Sequence, residues 1–193
     1  MQNQSPSEGG LSLQALVSRA ERAGKGAPPV ERWDPPFCGD IDMVIQADGS
    51  WTYGGSPIGR KSLVRLFSTV LRKDEDGRTY LVTPVEKLGI TVEDAHFQAV
   101  EMSRDVVEGE PVLTFRTDMG DVVACGSERP LRFSPGAGEG AFRPYVTVRG
   151  RLEARLTRAL AFVLADFIEE EGGRLFVRSG GARFPIGPDD AAA

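Results

Sequence analysis

The chain has 193 residues, enough to bury a core as one domain or two small ones, and its 40% hydrophobic and 26% charged fractions are those of a soluble globular protein. A net charge of −5 argues against a general nucleic-acid binder, which carries a basic excess, though local basic patches can still hold a small anion. The two cysteines, Cys38 and Cys125, lack a CxxC spacing, which excludes a disulfide scaffold; a single bridge between them is one reading, and reduced thiols in a cytoplasm are the expectation. No basic start with an apolar run marks a secretory signal, and no stretch approaches the roughly 20 apolar residues of a membrane helix. The expectation is a cytoplasmic protein with neither a membrane nor bulk nucleic acid as partner.

Residues 1–10 are polar and expected to be disordered. Leu11 to Ala23 reads as a short helix, with Leu13, Leu16, Val17 and Ala20 on one face and Gly24 and Gly26 ending it. Four prolines make Pro28 to Pro36 an extended arm, pinned by Trp33. Phe37 to Ile45 alternates as a half-buried strand with Ile41, Met43 and Ile45 inward. Asp48-Gly49 is a turn, Trp51 and Tyr53 share a face of the next strand, and Gly54-Gly55-Ser56-Pro57 breaks it. Leu63, Val64, Phe67, Val70 and Leu71 predict a helix from Arg60 to Arg72. A turn at Asp74 to Gly77 leads to a strand from Tyr80 to Val85. Residues 1–27 thus form a tail and short helix, and 28–88 a small α+β domain.

Residues 89–193 read as a second, β-richer α+β domain. Pro111 to Thr117 and Asp121 to Cys125 predict a hairpin, Leu131 to Phe133 a short strand, Ser134 to Gly140 a flexible loop and Tyr145 to Arg149 another strand. Leu152, Leu156, Leu160, Val163, Leu164 and Phe167 predict a helix, whose acidic end at Glu169 to Glu171 opposes the helix dipole and should fray. Leu175 to Val177 and Ala182 to Ile186 form a closing hairpin around Gly180-Gly181, followed by a loose tail from Pro188. Phe176 to Gly187 echoes Trp51 to Gly59: each places a glycine pair after an aromatic strand and then Pro-Ile-Gly, which suggests duplicated α/β units.

Chemical motifs are sparse. Gly54 to Ser62 approaches a phosphate loop, but Arg60 displaces Lys61 from the required register and Pro57 removes an amide. Two readings remain there: an anion site of Gly59, Arg60 and Lys61 at a helix N-terminus, or a plain turn with solvated bases. His96 is the single histidine. Asp40 and Asp42 share a strand face and offer carboxylates for a hard cation, or are simply solvated. Cys38 with His96 makes a nucleophile only if the fold joins them; the plainer expectation is a buried thiol and a surface imidazole. Basic residues cluster at Arg60, Lys61, Arg65, Arg72 and Lys73, and again at Arg149, Arg151, Arg155 and Arg158, as a positive cleft or as solvated faces.

The run Pro29 to Met43, then Asp48 to Arg60, Leu63 to Ser68, Tyr80 to Lys87, Leu113 to Thr117, Pro130 to Phe133 and Ser179 to Ala182, resembles a bacterial family of unknown function, number 1285 in the domain-of-unknown-function series. The resemblance covers about residues 28–187. His96 departs from it, since the family usually has proline there. It implies an α+β fold of two small related domains, antiparallel strands with helices, the C-terminal one loosely pleckstrin-homology-like. It further implies a ligand site between the domains for a nucleotide-like molecule and a role in signal transduction, and it carries over no catalytic residue.

The expectation is therefore a non-catalytic ligand-binding or regulatory protein without cofactor or metal. Trp51 and Tyr53 would stack on an anionic small molecule, Arg60 and Lys61 would meet its charge, and Lys87, Tyr145 and Arg149 would contribute from the other side of a groove between the domains. Two alternatives stand: an enzyme on a phosphorylated metabolite using Asp40 or Asp42 as base, and a scaffold docking a protein partner through the N-terminal helix and proline arm.

Overall fold

A computed structural model describes residues 13–22, 28–136 and 141–187. The expectations for residues 1–10, for the helix stop at Gly24 and Gly26, for the loop from 137 to 140 and for the tail from 188 lie outside them. The chain divides into two compact units: one ends at Val44 and resumes at Ser50–Thr91, and the other comprises Ile45–Gly49 and the chain from Val92.

In the first unit, helix α1 (Leu13–Arg22) buries Leu16 and Ala20 and packs on the helix formed by Lys61–Thr69. The proline arm is not extended throughout. Val30–Arg32, a stretch free of proline, closes one 3-10 turn in which the Trp33 amide donates to the Val30 carbonyl. Strands β1 (Phe37–Ile45), β2 (Trp51–Tyr53) and β3 (Ser56–Pro57) precede α2 (Lys61–Thr69), and β4 (Leu71–Lys73), β5 (Thr79–Val82) and β6 (Lys87–Val92) follow it. They form one six-stranded sheet in the order β3-β2-β1-β6-β5-β4. The predicted helix to Arg72 stops at Thr69, because β-branched Thr69 and Val70 hold a helix poorly and Leu71 to Lys73 pair with β5 instead. Val70 and Leu71 still reach the core, beside Met43, Phe67, Val82 and Leu88. The strand expected to reach Val85 ends at Val82, where Pro84 cannot donate to a ladder and the Thr83 amide turns to the Glu86 carbonyl.

In the second unit, strands β7 (Phe97–Val107), β8 (Glu110–Thr117), β9 (Val122–Ala124), β10 (Leu131–Pro135), β11 (Phe142–Arg149) and β12 (Leu152–Leu156) make another six-stranded sheet, ordered β10-β11-β12-β7-β8-β9. Helix α3 (Arg158–Ala165) follows, then a three-stranded sheet of β13 (Ile168–Glu171), β14 (Arg174–Ser179) and β15 (Ala182–Ile186). The helix expected from Leu152 begins only at Arg158. Gly150, at φ +50°, turns the chain back, and Leu152, Ala154 and Leu156 are buried while Glu153 and Arg155 are half-exposed, so β12 pairs antiparallel with β11. The Thr157 hydroxyl caps α3 by accepting the Leu160 amide at 3.4 Å. Glu169 to Glu171 is a strand rather than a frayed helix end, with Glu169 ion-paired to Arg178 and Glu171 to Arg183.

Numbered from its own first strand, each six-stranded sheet has the same order, 4-5-6-1-2-3. In the second sheet the central pair, β12 with β7, is parallel, and every other pair is antiparallel. The sequence echo follows a different rule. It falls on the β2–β3 hairpin and on the β14–β15 hairpin, which lies outside the second six-stranded sheet, and it marks a shared turn: φ is +56° and +73° at Gly54 and Gly55, +55° and +73° at Gly180 and Gly181. Two successive positive φ values define the tight hairpin turn for which glycine is the default residue. Ser179, fully buried, fixes the β14–β15 hairpin: its hydroxyl donates to the Cys125 carbonyl and accepts the Leu113 amide, both at 2.8 Å. No helix among the described residues is long and apolar enough to cross a membrane.

Candidate functional site

The residues expected to bind a ligand divide between the units. Trp51, on β2, is buried, and its indole Nε1 has no hydrogen-bond partner among the described residues; Tyr53, two positions on, is half-buried. Arg60 sits at the N-cap of α2 in extended conformation without a side-chain cap, Lys61 opens the helix, and both are exposed. Lys87 starts β6, two strands from β2, and is already engaged: its Nζ donates to Asp74 at 2.9 Å and stands 4.6 Å from the Tyr80 ring centroid. In the second unit the Tyr145 hydroxyl donates to Asp94 at 2.7 Å. Arg149 pairs with Asp121 at 3.0 Å and lies 5.1 Å from the Phe97 ring centroid.

The phosphate-loop likeness disappears in three dimensions. Gly54 and Gly55 form the turn of a hairpin in which Thr52 pairs with Pro57 and Tyr53 with Ser56, so the segment is a ladder and not a cradle of free amides. The first basic cluster is likewise no open cleft. Arg72 is buried, donating to the carbonyls of Val30 at 2.9 Å and Trp33 at 2.6 Å while its other nitrogens hold Asp74, and it thereby ties the proline arm to β4. In the second cluster Arg155 is spent on Asp94 at 2.6 Å.

The catalytic alternatives find the following geometry. Asp40 is ion-paired with Arg78, and its carboxylate lies over β6 so closely that a Cβ at Gly89 would displace it. Asp42 is exposed, and no group of three His, Cys, Asp or Glu side chains able to hold a metal occurs among the described residues. His96 is buried, not at the surface as expected; its Nδ1 accepts the Glu153 amide at 3.1 Å and its own amide donates back to the Glu153 carbonyl. Cys38, expected to be buried, is exposed on β1 in the first unit, whereas Cys125 is buried in the second, where burial pushes its thiol up to about 11.

The feature that the sequence did not disclose lies within the second unit. A cavity of about 700 Å³ runs along β10, the edge strand of the six-stranded sheet, and β15, the edge strand of the three-stranded one. Consecutive residues of β10 line it, as expected for a cavity at a strand edge and not over one face. Its apolar wall comes from Phe133, Phe142, Leu175 and Ile186, with Phe133 and Phe142 edge-on at 5.5 Å. Arg132 and Ser134 supply the polar side. Arg132 donates to both oxygens of Glu153 at 2.9 Å and to the Ser134 hydroxyl, and its guanidinium lies 4.3 Å from the Tyr145 ring centroid. Hydrogen bonding to Glu153, against some burial, raises the Arg132 pKa, so this cation is permanent. Burial first, then the bond to Asp94, raises the Tyr145 phenol. Phe133 and Phe142, two aromatics flanking a glycine-rich run, are the one signal of this wall in the sequence.

Comparison with known proteins agrees with this architecture. The N-terminal domain model of DUF1285, a domain of unknown function, matches residues 28–95, and the C-terminal domain model matches 96–186; they meet in the connection between β6 and β7. The crystal structure of a DUF1285 family protein from Silicibacter pomeroyi DSS-3 is similar with 44% identity and a TM-score of 0.83, over 90% of this chain and 93% of that one. That of a DUF1285 family protein from Shewanella baltica OS155 shares the fold at 24% identity and a TM-score of 0.51, over 65% of this chain and 91% of that one. No curated protein matches the chain. With both domains matched in chain order and a 44% identical relative aligned over nine-tenths of its length, the chain belongs to the DUF1285 family.

Proposed function

We propose that the chain is a non-catalytic ligand-binding protein of a regulatory kind, serving signal transduction, and that it receives its ligand in the cavity between the β10 and β15 edges. The observation that carries this reading is the cavity itself: about 700 Å³ falls within the range of small-molecule sites, and a mainly apolar lining with few polar groups is their usual chemistry. The ligand has an apolar or aromatic body for Phe133, Phe142, Leu175 and Ile186, and one anionic or strongly accepting end. Arg132 spends three of its five N–H groups on Glu153 and Ser134, which leaves two for that end. A nucleotide-like molecule meets the description only if its base fills the apolar wall; a highly charged phosphate chain finds a single cation here.

The test uses 8-anilinonaphthalene-1-sulfonate, an aromatic body with one anionic group, as a fluorescent probe of the native protein. Saturable binding of one probe per chain is expected, and Leu175→Asp, at a side chain 43% exposed, should abolish it without disturbing the fold. Binding unaffected by Leu175→Asp refutes the site. A parallel thermal-shift screen of nucleotides tests the alternative at Arg60 and Lys61: stabilisation lost on Arg60→Ala and retained in Leu175→Asp moves the site to the start of α2.

A further inference from the structure

Helix α3 turns an apolar stripe to solvent. Phe162 is 65% exposed and Val163 45%, and Ala159 and Ala165 beside them are exposed, while Leu164 is the helix's fully buried anchor. At about 100° per residue, Arg158 and Asp166 lie about 40° to either side of Phe162, and Ala159 and Ala165 about 60° to either side. The stripe thus carries opposite charges equidistant from Phe162, and Val163, about 100° round the helix, widens it on one side only. No ion pair among the described residues engages Arg158 or Asp166; the Arg158 guanidinium rests 5.7 Å from the Phe162 ring centroid.

We propose that α3 is a self-association surface, on which a second copy of this chain lays its own α3 antiparallel across a two-fold axis at Phe162. A two-fold interface requires that if residue i meets j, then j meets i. Arg158 and Asp166, equidistant from Phe162, satisfy that requirement: each Arg158 faces the Asp166 of the other copy, with the same separation of about 12 Å along both helices. Alanines on the flanks let the two axes approach to the short end of the usual 8–10 Å range. A partner unrelated to this chain would place no such demand on the spacing of two opposite charges about one aromatic. One eight-residue helix offers well under the roughly 800 Å² per partner of a standard interface, so the pairing is of the weak, concentration-dependent class.

Sedimentation velocity of the full chain from about 5 to about 500 µM tests it, a range chosen for association in the micromolar class. The weight-average mass should rise from one chain towards two, and Phe162→Ser, at a largely exposed position, should leave a folded monomer throughout. Arg158→Glu and Asp166→Arg should each weaken association about tenfold, and the double swap should restore it to within about threefold. Each swap places the charge that the helix dipole favours at its end, so lost association does not reflect a damaged helix. A monomer at every concentration, a dimer indifferent to Phe162→Ser, or a double swap without recovery overturns the proposal. So does binding of anionic phospholipid vesicles that Phe162→Ser abolishes in a protein that stays monomeric.

Discussion

Arg72→Met tests how the proline arm is held. Arg72 and Asp74 have side chains only 10% and 19% exposed, and the guanidinium makes four hydrogen bonds, two to the carboxylate and two to the carbonyls of Val30 and Trp33. Methionine keeps most of the apolar stem and removes all four. The Trp33 carbonyl, on a half-buried residue, is within reach of water, but the buried Val30 carbonyl is left without its donor, a loss of about 1–3 kcal/mol. Asp74 keeps Lys87 alone at 2.9 Å, so the broken buried pair brings the total to about 3–4 kcal/mol. At a slope of roughly 1–1.5 kcal/mol per molar urea for a unit of this size, the midpoint falls by about 2–4 M. Both tryptophans of the chain, Trp33 and Trp51, belong to the first unit, so their fluorescence reports its unfolding separately from the second. Asp74→Asn and the double variant complete a cycle, with an expected coupling of about 1–3 kcal/mol. The pH dependence follows the same pair. Burial works to raise the Asp74 pKa, but hydrogen bonds from Arg72 and then Lys87 outweigh it and hold the carboxyl below its ordinary value. Its stabilising contribution is therefore complete above about pH 4 and disappears as pH falls through the lowered folded value. Arg72→Met should flatten that acid limb. A loss under about 1 kcal/mol, or a coupling near zero, refutes the account.

Gly180→Ala should destabilise the second unit by about 2 kcal/mol or more, because its Cβ would add a clash 2.8 Å from the Cys125 carbonyl oxygen to the left-handed penalty, whereas Gly181→Ala, with open space around it, should bear only the penalty of about 1 kcal/mol; urea unfolding followed by circular dichroism compares them. Ser179→Ala strands the buried Leu113 amide and removes a donor from Cys125, and the same assay should show a loss of about 2–3 kcal/mol. Thiol titration with a disulfide reagent near pH 8 should find one fast thiol in the native protein, Cys38, and a second, Cys125, only in denaturant.

Much of the fold is legible in turn chemistry. The glycine pairs at Gly54 and Gly180, and the break at Asp118 to Gly120, locate hairpins because positive φ is a local demand that neighbours cannot override. Leu152 and Leu156 show where local reading fails: a spacing of four fits a helix face and also a strand face, and only the small, buried Ala154 between them favours the strand. The outer half of β7, Glu101 to Val107, carries no period because it is exposed along most of its length, and its partner β8 alone keeps it in register. His96 could not be placed from sequence either, since its partner is the backbone of Glu153, on a strand read as helix. The cavity was hidden for a topological reason. Leu131 to Pro135 and Phe142 line it from one sheet, Leu175, Pro185 and Ile186 from another, and no short window along the chain contains both sets.

The repeated strand order has a kinetic meaning. In 4-5-6-1-2-3, each sheet consists of two consecutive three-strand runs, and only the contact between the first and last strand of the unit joins them. In the second sheet that seam is the parallel pair of Ala154 to Leu156 with Phe97 to Ala99, which closes a loop of more than fifty residues, while the other pairs are local. The two halves of a sheet can therefore form early and independently, and the seam is the late, entropically expensive event that sets the folding rate. A nick between Gly126 and Pro130, in the connection from strand three to strand four, cuts the one small turn that Gly126 and Arg129 close on each other and no pairing between strands of the sheet, and it leaves two fragments that would dock along that seam and through the bonds of Ser179.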